Sequence, residues 1–145
     1  MTSLPNITRA CLDHDRRAVA IIDLSDGPRR DVTYGELADM VDGIARALLT
    51  QVQPGDRVGV LLSQTPWCAA AHLAVWKIGA ISVPLFKLFQ HDALAARTRD
   101  AGVALVLTDA EGADLLGDLA TPLIAATCGV AGGPVDYAPG GADVP

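Results

Sequence analysis

The apolar positions along the chain change period several times, and each change marks an element. Ala18 to Leu24 (AVAIIDL) is branched and aliphatic, which predicts a strand. Ser25-Asp26-Gly27-Pro28 is a turn cluster, after which Arg29 to Thr33 can return as the second strand of a hairpin. Leu37, Val41, Ile44 and Leu48 then recur at steps of four, three and four, predicting a helix from about Tyr34 to Leu49 with one apolar stripe. Thr33 and Glu36 have the spacing of a capping box at its start. Pro54-Gly55-Asp56 makes a turn. Arg57 to Leu62 (RVGVLL) is an apolar run without strict alternation, as in a parallel strand covered on both faces.

The second half repeats this alternation. Pro66 suits a first helical residue, and Trp67 to Ile78 follows as an Ala-rich helix ended by Gly79. Ala69, Ala70, Ala71 and Ala74 would let that helix lie close against a sheet. Ile81 to Leu85 predicts a strand with Pro84 near its end, because proline cannot donate to a central ladder. His91 to Ala101 predicts a helix stopped by Gly102, Val103 to Leu107 a strand, and Ala110 to Leu119 a short helix with Leu115, Leu116 and Leu119 inward. Leu123 to Ala125 completes the series as a short strand. This order predicts an α/β fold, a largely parallel sheet with flanking helices and right-handed crossovers, preceded by a β-hairpin. Residues 1–128 form the expected α/β unit. Residues 129–145, rich in Gly and Pro and without periodicity, read as a mobile tail or linker.

Composition narrows the function classes. The 145 residues suit about one domain. Half of them are hydrophobic and 19% are charged, which supports a packed core. The formal net charge of −6 argues against nucleic acid as a partner, since such binders carry a basic stripe. The doublets Arg16–Arg17 and Arg29–Arg30 read as solvated surface charge. Cys11, Cys68 and Cys128, like His14, His72 and His91, are too scattered for a metal site. Free thiols suit a reducing cytoplasm. The first residues lack a basic region followed by an apolar core, so no signal peptide is expected. The longest apolar stretch, around Trp67–Trp76, is too short to span a membrane.

Candidate chemistry is sparse. No phosphate loop, dinucleotide fingerprint, nucleophile elbow or zinc-protease motif occurs. Asp23, Asp26, Asp31 and Asp56 sit at turns or strand ends, where Asp serves local hydrogen bonding. Ser63-Gln64-Thr65-Pro66 follows the carboxyl end of a strand and opens a helix, a place where open α/β sheets form ligand crevices. The plainer reading is that Thr65 caps the helix and Pro66 starts it. Trp67 and Trp76, nine residues apart on one helix, point in opposite directions and form no common platform. His72 among Ala and Leu reads as structural.

Val32 to Ala38 (VTYGELA), Pro54 to Val58 (PGDRV) and Ala74 to Leu85 (AVWKIGAISVPL) resemble motifs of the AMP-forming acyl-CoA synthetases and related adenylating enzymes. Val32-Thr33-Tyr34-Gly35-Glu36-Leu37-Ala38 is similar to their opening [LV]TYxEL motif, and Pro54-Gly55-Asp56-Arg57-Val58 to their PGDRV turn. Ala74 to Leu85 (AVWKIGAISVPL) resembles their second core motif. The stretch from Phe86 to Asp109 follows the same pattern, closest to the acetyl- and medium-chain branch. The spacing of all three agrees, so the resemblance covers roughly Leu4 to Leu119. One departure is Gln51, where many members carry the glycine that ends the helix.

The resemblance implies the first part of the large N-terminal domain of a longer enzyme of fatty-acid metabolism. Full-length members join a carboxylic acid and MgATP to an acyl-adenylate, release pyrophosphate, and pass the acyl group to coenzyme A. Their phosphate-binding loop, metal-binding Glu, ribose-binding Asp, hinge and catalytic Lys have no counterpart in this sequence. No catalytic, cofactor-binding or metal-binding residue is therefore carried over. ATP, magnesium, CoA and the carboxylic acid are expected only for the full-length family. Tyr34, Glu36, Lys77 and Pro84 are carried over as structural. The chief alternative is a stand-alone, non-catalytic interaction module. Its open sheet edge and uncovered apolar face would favour a homo-oligomer or a partner chain. A small complete enzyme using the Ser63–Pro66 crevice ranks last, since no nucleophile–base pair is visible.

Overall fold

The computed structural model describes residues 6–119 and, beyond them, the backbone of three two-residue strands. The chain opens with α1 (Ile7–Leu12), a helix that the apolar pattern does not reveal. Asn6 caps it, its side-chain oxygen accepting from Thr8 N–H at 2.9 Å. Six residues are too few to form a stable helix alone. Long-range bonds hold this one: the Thr8 hydroxyl donates to Leu73 O at 2.7 Å, and the Asn6 amide donates to Trp76 O at 2.8 Å.

The expected hairpin follows. β1 (Val19–Asp23) and β2 (Arg30–Thr33) pair antiparallel, with a register shift between Val19 and Ile21. β2 runs directly into α2 (Tyr34–Leu48), and the capping box forms. Thr33 Oγ1 accepts from Glu36 N–H at 3.2 Å, while Glu36 Oε2 accepts from Thr33 N–H at 2.8 Å. Those bonds hold the Glu36 carboxyl below its ordinary range. Leu37, Val41, Ile44 and Leu48 are all buried, as the stripe requires. The helix ends without a left-handed residue: Leu49 keeps a helical φ of −59°, and Val52 N–H closes on Leu48 O at 2.8 Å. Gln51 is thus accommodated in place of a glycine.

The main sheet is built from β3 (Arg57–Leu61), β4 (Ile81–Pro84), β5 (Val103–Thr108) and β6 (Leu123–Ile124), in the order β4-β3-β5-β6, all parallel. Pro84 is the last residue of the edge strand β4, where its missing N–H does least harm. The β3–β5 register slips between Arg57 and Val58, leaving Ala104 unpaired. That slip explains why the apolar run of β5 lacks simple alternation.

Helices α3 (Pro66–Lys77), α4 (His91–Asp100) and α5 (Ala110–Leu116) fall close to their expected places. Gly79, at φ +77°, stops the chain after α3. α5 is shorter than expected because Gly117 turns to φ +53°; Leu119 still packs on the core from outside the helix. Ala70, Ala71 and Ala74 are buried, but Ala69 faces solvent, so the small-residue face is narrower than the sequence suggests.

Two apolar clusters cover the two faces of the sheet. The larger joins α2 and α3 to Val58, Val60, Leu105 and Leu107. The smaller joins Leu94 of α4 and Leu116 of α5 to Leu61, Val103 and Val106. Two further short strands, β7 (Cys128–Gly129) and β8 (Gly133–Pro134), pair antiparallel across the expected 128/129 boundary. Ala125 and the rest of the Gly/Pro-rich stretch lie outside the described residues.

Candidate functional site

The loops at the carboxyl ends of β3, β4 and β5 converge, as they must in a parallel sheet. Facing them across a cleft of about 770 Å³ stands the tip of the β1–β2 hairpin. Ser63, Gln64 and Thr65 line one wall with Asp109; Asp23, Ser25, Asp26, Arg29 and Arg30 line the other. Met40, Leu62, Pro66 and Trp67 form the apolar part between them. A crevice thus opens at Ser63–Pro66, where the plainer reading expected only a helix cap, and the hairpin supplies its second wall.

One side chain that the sequence leaves unremarked organises this edge. Lys87, in the loop after β4, donates from Nζ to Ser63 Oγ, Asp109 Oδ2 and Glu111 Oε2, each at 2.7 Å. All three ammonium hydrogens are used. The Lys87 side chain keeps only 15% of its exposure and that of Asp109 16%. Burial opposes the charge on both groups. For Lys87 the hydrogen bonds to the two carboxylates win and raise its pKa. For Asp109, burial pushes upward, but bonds from Lys87 and from the N–H groups of Gly112 and Ser63 hold the carboxyl below its ordinary range.

Asp109 also caps α5, accepting from Gly112 N–H at 2.9 Å. A side chain at position 112 would collide with this arrangement, since a Cβ there would lie 2.0 Å from Thr108 Oγ1. Thr108 is fully buried and donates to Leu61 O at 2.9 Å, tying β5 to β3 just below the cleft. The signal for Lys87 lay only in rarity: it is one of two lysines in the chain.

The other singled-out residues behave differently from one another. Thr65 occupies the N-cap position of α3, but its side chain makes no capping hydrogen bond, which corrects the plainer reading of that residue. Asp23, Asp31 and Asp56 serve local structure, bonding Ser25, Arg29 and the Gln53 N–H respectively. Trp67 lines the cleft, whereas Trp76 lies 37% exposed on the opposite side of α3. His72 bonds the Ser82 hydroxyl, and burial lowers its pKa. Tyr34 stacks against His14 with ring centroids 4.4 Å apart. Lys77 pairs with Asp42 at 2.5 Å, joining α3 to α2. Among the described residues, no group of three or more His, Cys, Asp or Glu side chains is placed to hold a metal ion.

Residues 8–134 match the family described as AMP-binding enzyme. The acetyl-coenzyme A synthetase of Rhodobacter capsulatus is 41% identical over 111 residues, which are 71% of this chain and 17% of the relative. That of Shewanella oneidensis is 38% identical over 125 residues, 81% of this chain and 19% of the relative. An acyl-CoA synthetase structure from Brucella canis superposes with a TM-score of 0.77 at 30% identity, covering 85% of this chain and 23% of that one. The chain thus spans about a fifth or less of the length of these curated relatives.

Proposed function

The chain belongs to the AMP-binding enzyme family, and from this we propose that it supplies the N-terminal α/β scaffold of an AMP-forming acyl-CoA synthetase. The observation that carries this reading is the match over residues 8–134 together with the likeness to acetyl-coenzyme A synthetases. In the proposed reaction, a carboxylic acid and ATP give an acyl-adenylate and pyrophosphate, and the acyl group then passes to coenzyme A. This segment contributes folding and alignment to that chemistry. Its parallel strands end in loops that Lys87 ties into one rigid edge, and the groups that bind nucleotide and metal belong to the remainder of the enzyme. Acetate is the first substrate to test, given the relatives' names. A cytosolic setting suits the free thiols of Cys11 and Cys68. Among the described residues, no helix is long and apolar enough to cross a membrane.

The test is a chimera. Residues 6–119 replace the matching segment of the Rhodobacter capsulatus enzyme, and acetate-dependent exchange of labelled pyrophosphate into ATP is measured. The chimera should exchange, and the 145-residue chain alone should not. A folded chimera without exchange would remove the ligase reading. Exchange by the chain alone would overturn its role as a scaffold segment.

A further inference from the structure

The state of the Ser63 hydroxyl points to what the cleft binds. Lys87 Nζ donates to Ser63 Oγ at 2.7 Å, which engages one of the hydroxyl's two lone pairs. Among the described residues its own proton has one acceptor, Asp109 Oδ2, at 3.4 Å. That is well beyond the distance of about 2.5–3.0 Å at which a hydroxyl bonds effectively. Ser63 is therefore a polarised donor whose proton is free to meet an acceptor in the cleft. The Thr65 hydroxyl beside it is likewise unused as a cap.

Charge selects the kind of acceptor. Arg29 is paired with Asp31 at 2.7 Å, and Lys87 with Asp109 and Glu111, each at 2.7 Å; among the remaining charged groups around the cleft, the carboxylates of Asp23 and Asp26 outnumber the guanidinium of Arg30. An anion entering here would meet net repulsion. Trp67 and Leu62 offer an apolar surface next to Ser63. We propose that the cleft between the hairpin tip and Ser63 binds an uncharged acyl or amide group on an apolar body. Its carbonyl oxygen accepts from Ser63 Oγ, and Lys87 acts as the positioning residue that orients the hydroxyl. This assignment stands apart from the ligase reading, because it concerns binding by the chain itself.

Three probes share one ring and differ in the head group: acetanilide, benzoate and phenyl phosphate. Each is titrated into the ¹⁵N-labelled 145-residue chain at neutral pH and fixed ionic strength, following the amides of Ser63, Gln64 and Thr65 and the Trp67 indole. Acetanilide should give saturable shifts at these positions, with the two anions roughly tenfold weaker. Ser63→Ala should weaken acetanilide about tenfold, the usual worth of one hydrogen bond to a bound group. Lys87→Met should do the same, and Lys87→Arg should restore most of the affinity. Should Lys87→Met unfold the chain, Ser63→Ala alone decides, since it removes a single oxygen. The proposal fails if acetanilide gives no saturable shift, if either anion binds as tightly, or if Ser63→Ala leaves acetanilide binding unchanged.

Discussion

The two faces of the parallel sheet are built on different principles. One carries a cluster of eighteen buried apolar residues under α2 and α3; the other carries six under α4 and α5. The first face is therefore held mainly by the removal of apolar surface from water, at about 25 cal/mol per Å². The second is thin, and at its carboxyl edge a charged knot replaces the missing apolar mass. Lys87, Asp109, Glu111 and Ser63 join three loops there. The lesson is a division of labour. The thick face supplies stability without directing any particular polar atom, whereas the thin face fixes individual polar atoms at the edge where the cleft opens.

The largest effect should separate the two faces directly. Leu48 and Leu94 are both fully buried. Leu48→Ala, deep in the large cluster, should cost about 4 kcal/mol, and Leu94→Ala about 2.5 kcal/mol, because a thin layer collapses more readily into the space left. Denaturant unfolding of both variants checks this. Equal losses would show that the faces are packed alike and would break the contrast.

A smaller effect should come from the charged knot. Lys87→Met leaves Asp109 largely buried without its counter-charge and should cost about 2 kcal/mol at neutral pH. The sign with pH follows from Asp109. Its folded pKa is held down, so its contribution is present above the unfolded value and is lost as pH falls through the folded one. Without Lys87, burial is opposed only by the N–H groups of Gly112 and Ser63, so the carboxyl is held down less and protonation relieves the variant. The stability gap between parent and variant should therefore narrow as pH drops below about 4. A gap independent of pH would mean that Lys87 acts through packing.

The smallest effect tests the two helix starts. Thr33→Ala removes one half of the capping box and should cost about 1 kcal/mol. Thr65→Ala should change stability by less than about 0.5 kcal/mol, because that side chain caps nothing. Comparable losses at the two positions would restore Thr65 as an ordinary cap.

Much of the fold was legible because its signals are local. The stripe Leu37–Val41–Ile44–Leu48 and the Thr33/Glu36 box act within a few residues, and both formed as expected. The crevice at Ser63–Pro66 was legible only as the lesser reading, since a strand end leading into a helix start suits a plain cap as well as a ligand crevice. α1 was not, because its six residues are held by bonds to Leu73 and Trp76, more than sixty positions away. Lys87 was not, because its loop has no periodicity and its partners lie 22 to 24 residues off in either direction.

What the sequence by itself determined is the order of elements from the hairpin to β6, the parallel-strand character and the family likeness. These rest on periodicity, turn chemistry and short motifs, which need no knowledge of distant contacts. Only the tertiary structure decided that the hairpin tip walls the cleft, that Thr65 is not a cap, and that one lysine gathers Ser63, Asp109 and Glu111. Those outcomes depend on strand order and register, which bring together groups that share no local pattern. A hydrogen bond is decided by a fraction of an ångström, and no spacing along the chain encodes that distance.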